Sequence, residues 1–367
     1  MNASFESFWS AEKPERPFVV AGPCSAETED QVLETAHALA DSGLHLFRAG
    51  LWKPRTHPDS FEGVGKAGLA WLRRARQETG LAVTTEVANA AHVYEALKYG
   101  LDVLWIGART TVNPFAVQDI ADALQGVDVP VLVKNPINPD LKLWLGAVER
   151  LQRAGVRRLG AVHRGFSFHG RSPFRNLPRW PIAMEFRRQM PELPLLCDSS
   201  HICGRRDMLA GVAQKALDLN YDGIMMEVHP RPDEAWSDAA QQITPGHFQK
   251  LLGGLVARRA SLQEVGSPQL LDHLRQEIDE IDHELFQLLG RRMQVSRQIG
   301  AFKRERNLAV LQPGRWNDVL QEALARGEHL GLSRAFVGVL LKAIHQESIN
   351  HQIQVLHEEE SLSRAAP

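Results

Sequence analysis

Four side chains able to hold a metal, Cys24, His201, Glu227 and Asp238, and six cations, Arg48, Lys53, Arg55, Arg109, Lys134 and Arg164, follow short apolar runs in the first two thirds of the chain. One soft thiolate, one borderline imidazole and two hard carboxylates suit a divalent ion such as Mn, Fe, Co or Zn better than Mg or Ca. Six converging cations would repel one another unless anions filled the space between them. Phosphates or carboxylates are the natural occupants. Further along, Arg292 and Lys303 lie eleven residues apart. Eleven helical steps of about 100° return them to one face, about 16 Å apart along the axis. A guanidinium inside an apolar stripe needs a buried anionic partner, because leaving it unpaired costs several kcal/mol. Arg275 lies about 25 Å from Arg292 on the same helix and faces away, so it cannot share their pocket.

Between residues 18 and 260, short β-rich runs alternate with amphipathic ones. Strands are predicted at 18–21, 44–48, 81–86, 103–107, 131–134, 158–163, 195–198 and 223–227. Helical patterns lie at 31–40, 69–78, 91–98, 116–124, 141–154 and 206–219. Eight such units over about 245 residues match a (β/α)8 TIM barrel in number and size. A doubly wound sheet is the rival, but there is no Gly-rich dinucleotide turn to favour it. The weakest element is the helix after strand six, where Pro173, Pro178 and Pro181 interrupt the pattern. The strands lead in turn to Cys24, Arg48 with Lys53, Glu86, Arg109, Lys134, Arg164, His201 and Glu227. Active sites of such barrels sit at these strand ends. The opposite ends are mostly apolar or glycine, which argues against an ordinary solvated surface.

Residues 1–260 are therefore expected to form the barrel, 261–268 a linker, 269–355 an all-α helical domain and 356–367 a flexible tail. Beyond the linker, apolar residues recur at 271, 274, 278, 281, 285 and 288, and the seam continues through 292, 295, 299 and 302. Steps of three and four predict one helix of about forty residues packed against partner helices. Gln312-Pro313-Gly314 breaks it, and two more helical patterns follow at 315–325 and 333–351.

The 367 residues are 44% hydrophobic and 23% charged, enough to build a core. Lys plus Arg at 42 against Asp plus Glu at 44 gives 42 − 44 = −2, which offers no electrostatic case for nucleic acid. No apolar window of about 18 residues and no secretion signal occur, so no membrane partner is expected. Three cysteines, Cys24, Cys197 and Cys203, form an odd and sparse set that fits a reducing, cytoplasmic setting.

The motifs Gly22-Pro23-Cys24-Ser25, Lys53-Pro54-Arg55-Thr56, Ile106-Gly107-Ala108-Arg109, Asp198-Ser199-Ser200-His201 and Glu227-Val228-His229-Pro230 closely resemble 3-deoxy-D-arabino-heptulosonate 7-phosphate (DAHP) synthase of the short type I-beta form. The resemblance covers about residues 16–260. It implies condensation of phosphoenolpyruvate with erythrose 4-phosphate, the first step of the shikimate pathway, helped by a divalent metal on Cys24, His201, Glu227 and Asp238. It also implies that Arg48, Lys53, Arg109, Lys134 and Arg164 hold phosphoenolpyruvate, and that Arg55 with Thr56 grips the sugar phosphate. Lys53 could pass a proton to the nascent alkoxide or serve only as an anion contact. The related synthase of the eight-carbon sugar acid phosphate typically carries Lys-Ala-Asn where this chain has Lys53-Pro54-Arg55.

The segments 274–279, 291–293 and 299–303, with Ser348 and Gln352, resemble the all-helical chorismate mutase fold over about residues 269–355. That resemblance implies a homodimer through the helical domain. Arg275 from the partner, Arg292, Arg315, Ser348 and Gln352 would hold chorismate, with Lys303 on its ether oxygen. Gln312 and Trp316 stand where relatives often carry acidic residues. A non-catalytic chorismate- or prephenate-sensing module is therefore the competing view. Feedback by prephenate through Arg292 and Lys303 is expected in either case.

Overall fold

Eight short, mainly apolar runs form a closed parallel barrel in the order β1 to β8. The strands are β1 Phe18–Gly22, β2 Leu46–Arg48, β3 Val83–Val87, β4 Val103–Ile106, β5 Val131–Lys134, β6 Leu159–His163, β7 Leu195–Asp198 and β8 Gly223–Glu227. β1 pairs with β8 with Gly22 opposite Glu227, which closes the ring. The computed structural model describes residues 17–53, 61–258 and 268–363. The chain divides into two units, Met1–Ala260 and Ser261–Pro367.

Strands buried on both faces read as nearly continuous apolar runs, because helices cover the outside while side chains fill the inside. Phe18, Val20, Leu46, Val103, Trp105, Leu132, Val162, Leu196 and Met225 form one buried cluster. Their strand neighbours Val19, Ala21, Phe47, Leu104, Ile106, Val131 and Val133 belong to a second, shared with the helices. Successive side chains on a strand point to opposite faces. Two residues beyond Leu46, Leu132, Val162, Leu196 and Met225 stand Arg48, Lys134, Arg164, Asp198 and Glu227. The alternation that fills the barrel therefore delivers its polar layer at one end. All five of these charged residues are buried. Gly22, at φ +140°, lets β1 pass β2, since a Cβ there would meet the Arg48 carbonyl oxygen at 2.2 Å.

Helices follow the strands, several of them capped by a side chain that accepts from the first turn, such as Thr28, Asn89 and Asp140. After β6 the prolines do not prevent a helix. Trp180–Gln189 forms with Pro181 in its first turn, where no backbone donor is needed and φ is already helical.

The second unit consists of helices Pro268–Glu305, Pro313–His329 and Arg334–Ser363. The long helix stops at Glu305, before the 312–314 break, because Asn307 turns into the left-handed region at φ 51°. The last helix runs to Ser363, where the sequence suggested a flexible tail from 356. Within the chain the long helix meets the last one through small residues. Ser296 is buried, and a Cβ on Gly300 would touch the Gln352 backbone at 3.0 Å. The apolar seam is left outside: Leu274, Ile278, Ile281, Leu285, Leu288, Val295, Ile299 and Phe302 are all exposed. No described helix is long and apolar enough to cross a membrane.

Candidate active sites

Cys24, Glu227 and Asp238 bring one ligand atom each within 4.8 Å of one another. The Cys24 Sγ lies 3.3 Å from Asp238 Oδ2. His201 completes the group, its Nε2 3.7 Å from Glu227 Oε1 and 3.9 Å from Asp238 Oδ2. Its Nδ1 lies 2.8 Å from Asp198 Oδ2, close enough for the charge of that carboxylate to act on the ring. Burial holds His201 below its ordinary pKa against the pull of Asp198 and Glu227, so a neutral lone pair faces the cluster. Burial, aided by Glu227, pushes the Cys24 thiol up to about 12 although Lys53 opposes it. A soft donor, an imidazole and two carboxylates in van der Waals reach fit a borderline divalent cation, which would favour the thiolate.

The supporting contacts come from residues the sequence reading did not assign. Gln241 donates from Nε2 to Glu227 Oε2 at 2.7 Å. Arg175 donates from Nη1 to Gln241 Oε1 at 2.6 Å and from Nη2 to Asp238 Oδ1 at 3.1 Å. Asp238 holds a left-handed φ of 51°, unusual for a residue with a Cβ.

The cations gather beside this cluster. Arg48 donates from Nη2 to Glu227 Oε1 at 3.1 Å, while its Nε and Nη1 are buried with no partner among the described residues. Lys134 donates to Asp198 Oδ2 at 2.7 Å. Both cations lie over the Trp105 ring, at 5.0 and 5.6 Å from its centroid. Trp105 Nε1 in turn donates to Glu86 Oε2 at 3.0 Å. Arg164 donates to Asn176 Oδ1 at 2.8 Å. Burial, together with Arg175 and Arg109, lowers its pKa to about 10 although Asp198 opposes this. Cations set this close together are an arrangement that an anion would relieve. Lys53 is half-buried and donates from Nζ to Cys24 Sγ. Arg109 is exposed. Arg55 and Thr56 lie outside the described residues.

The cations have more ion-pair partners than their sequence neighbours suggest, since Arg48 and Lys134 find carboxylates on distant strands. Trp105 was detectable: it is the inward residue two positions before Gly107 on β4. Arg175 and Gln241 sit in loops, where alternation gives no signal.

In the helical unit Arg292 donates to Ser348 Oγ. Lys303, buried, donates from Nζ to Gln352 Oε1 at 3.1 Å and to the Val310 carbonyl at 2.6 Å. Four expected residues thus meet on two helices. Among the described residues the buried anionic partner expected for Arg292 is not found: the side chain is exposed and its hydrogen bond goes to a hydroxyl. Arg275 is exposed, 3.6 Å from Asp272, and Arg315 is exposed. Trp316 stacks on His345 with centroids 3.9 Å apart.

Residues 9–263 match the DAHP synthetase I family, and residues 274–353 match chorismate mutase type II. A phospho-2-dehydro-3-deoxyheptonate aldolase of Thermotoga maritima is 33% identical over 234 residues, covering 64% of this chain and 67% of that protein. A 2-dehydro-3-deoxyphosphooctonate aldolase of Desulfotalea psychrophila is 28% identical over 265 residues, covering 67% and 91%. The crystal structure of the Thermotoga maritima DAHP synthase superposes with a TM-score of 0.58 at 30% identity, over 65% of this chain and 67% of that one.

Proposed function

Since this chain belongs to the DAHP synthetase I family and ends in a chorismate mutase type II domain, we propose that its barrel joins phosphoenolpyruvate to erythrose 4-phosphate and its helical unit turns chorismate into prephenate. The observation that carries the first half is Arg48, whose buried Nε and Nη1 have no partner among the described residues and lie beside Lys134, Arg164 and the Cys24 cluster. Guanidinium and ammonium groups in such a layer bind the carboxylate and phosphate of phosphoenolpyruvate. Lys53 Nζ, beside Cys24, would either pass a proton to the alkoxide that forms from the sugar aldehyde or serve only as an anion contact. Cys24, His201, Glu227 and Asp238 would hold Mn, Fe, Co or Zn, and the chemistry such an ion supplies is Lewis-acid polarisation of the aldehyde oxygen. Arg55 and Thr56 are assigned to the sugar phosphate and Arg109 to phosphoenolpyruvate by resemblance alone.

In the helical unit, Arg292 with Ser348 binds a carboxylate, while Lys303 and Gln352 stabilise the ether oxygen as it becomes negative. Arg275 of the partner and Arg315 complete the carboxylate contacts. The exposed seam from Leu274 to Phe302 supports a homodimer through this unit. We also assign feedback inhibition by prephenate to the pocket of Arg292 and Lys303, and a cytoplasmic location to the chain. A non-catalytic sensing module is the second reading. It is favoured by Gln312 and Trp316, which stand where the resemblance expects acids.

The test is direct. Purified protein should release phosphate from phosphoenolpyruvate plus erythrose 4-phosphate and should consume chorismate. Chelation should stop the first reaction, and Mn should restore it in the wild type but not in Cys24→Ala, whose mutase activity should persist. Greater activity with arabinose 5-phosphate would refute the substrate assignment, and inertness toward chorismate would favour the sensing module.

A further inference from the structure

Three residues of the last helix share one face. His345 precedes Ser348 by three positions and Gln352 by seven, and helical geometry stacks such residues one above another. Ser348 and Gln352 already have partners in Arg292 and Lys303. His345 has none of that kind. Its ring lies on Trp316, centroids 3.9 Å apart and planes within 15°, so the neighbouring helix fixes the plane of the imidazole. Its Nε2 is buried, with no hydrogen-bond partner among the described residues. Buried polar atoms are normally satisfied, and one left open beside two binding pairs points to a missing partner.

The electrostatics narrow what that partner is. Burial, with the nearby charges of Arg292 and Lys303, holds His345 below its ordinary pKa, so the ring is neutral near pH 7. A neutral imidazole can both donate and accept, depending on its tautomer. It attracts a carboxylate far less than the guanidinium beside it does. The group it suits is a neutral hydroxyl on a ligand whose carboxylates go to arginine.

We propose that His345, braced by Trp316, is a further substrate-contacting residue of the helical site, its Nε2 hydrogen-bonded to the ring hydroxyl of a cyclic dicarboxylate. This rests on the reading of that unit as a chorismate site. It names the group that selects for the hydroxyl. Trp316 then acts through His345 as a positioning residue, holding the ring where an acid would otherwise reach the ligand directly.

The experiment compares the full-length wild type with His345→Phe, which keeps the stack and removes both nitrogens, and with His345→Gln, which restores a polar group. With chorismate, kcat/KM should fall about tenfold in His345→Phe, the size of one neutral hydrogen bond, and recover in part in His345→Gln. With chorismate methylated at the ring hydroxyl, wild type and His345→Phe should perform alike. Equal thermal midpoints in the three proteins separate this from a folding defect. If the wild type proves inert toward chorismate, the mutase reading fails, and titration with prephenate, which retains the hydroxyl, decides whether His345 contacts that group. Binding about tenfold weaker in His345→Phe supports it. Equal kcat/KM and equal prephenate affinity in wild type and His345→Phe overturn it.

Discussion

Arg175 holds Asp238 with one guanidinium nitrogen, at 3.1 Å, and Gln241 with another, while Gln241 holds Glu227. Two of the four metal-competent residues thus depend on one loop arginine. Groups that orient ligands typically contribute ten- to a hundredfold in metal affinity. Arg175→Ala should therefore weaken Mn binding about tenfold, measured by competition with a chelating dye. Unchanged affinity would mean that Asp238 is held by its own backbone conformation.

Lys134 and Arg164 make different kinds of bond, and their substitutions should differ accordingly. Lys134→Ala removes a cation from the fully buried Asp198. Stranding a buried charge costs about 3–5 kcal/mol. It should lower the melting temperature by several degrees as well as the synthase rate. Arg164→Ala loses only a neutral partner, Asn176. Its melting temperature should change little, while kcat/KM for phosphoenolpyruvate falls at least tenfold, the loss of about 1.5–3 kcal/mol for a charged hydrogen bond. Matching profiles for the two variants would contradict this division.

His163 should make the barrel sensitive to acid. The ring bonds the Pro178 carbonyl through Nε2 at 2.5 Å and Tyr221 Oη through Nδ1 at 2.9 Å, a pattern met by the neutral form. Burial lowers its pKa to about 4 from an ordinary 6.5. The unfolded chain therefore takes up a proton first as pH falls. The stabilisation is complete above pH 6.5 and is lost between about pH 6.5 and 4. From pH 7 to pH 5 the wild type should lose about 2 kcal/mol more than His163→Gln in urea titrations. Parallel pH profiles would remove His163 from the account.

Prephenate should inhibit the synthase in the full-length protein. Tenfold inhibition needs about 1.4 kcal/mol of coupling between the two sites. Arg292→Ala should abolish the effect while leaving the uninhibited synthase rate intact. Inhibition that survives in this variant, or is missing from the wild type, would place the regulator elsewhere.

The barrel was legible because its strands and their polar ends obey one alternation. Leu132 to Lys134 and Met225 to Glu227 are the same step, read twice. The prolines around the helix Trp180–Gln189 misled only in that they begin the helix instead of interrupting it. Pairings across 179 and 64 positions, Arg48 with Glu227 and Lys134 with Asp198, carry no local signal. The loop residues Arg175 and Gln241 and the stacking of His345 on Trp316 are equally silent in sequence, because each depends on segments brought together only by folding. The heptad seam was legible as a stripe, but not that the chain's own helices would leave it exposed and pack instead through Ser296 and Gly300.

Asp198 is shared. One oxygen, Oδ2, lies 2.7 Å from Lys134 Nζ and 2.8 Å from His201 Nδ1. A carboxylate has only so much negative charge to offer, so what one cationic neighbour draws from it the other loses. An ion held by His201 would draw the ring harder onto Asp198, and Lys134 would then keep more of its charge to offer an anion. If the barrel binds both as proposed, metal occupancy and phosphoenolpyruvate affinity would be reciprocal quantities, each raising the other by the same factor. A substitution at Asp198 would then move both halves of the site at once.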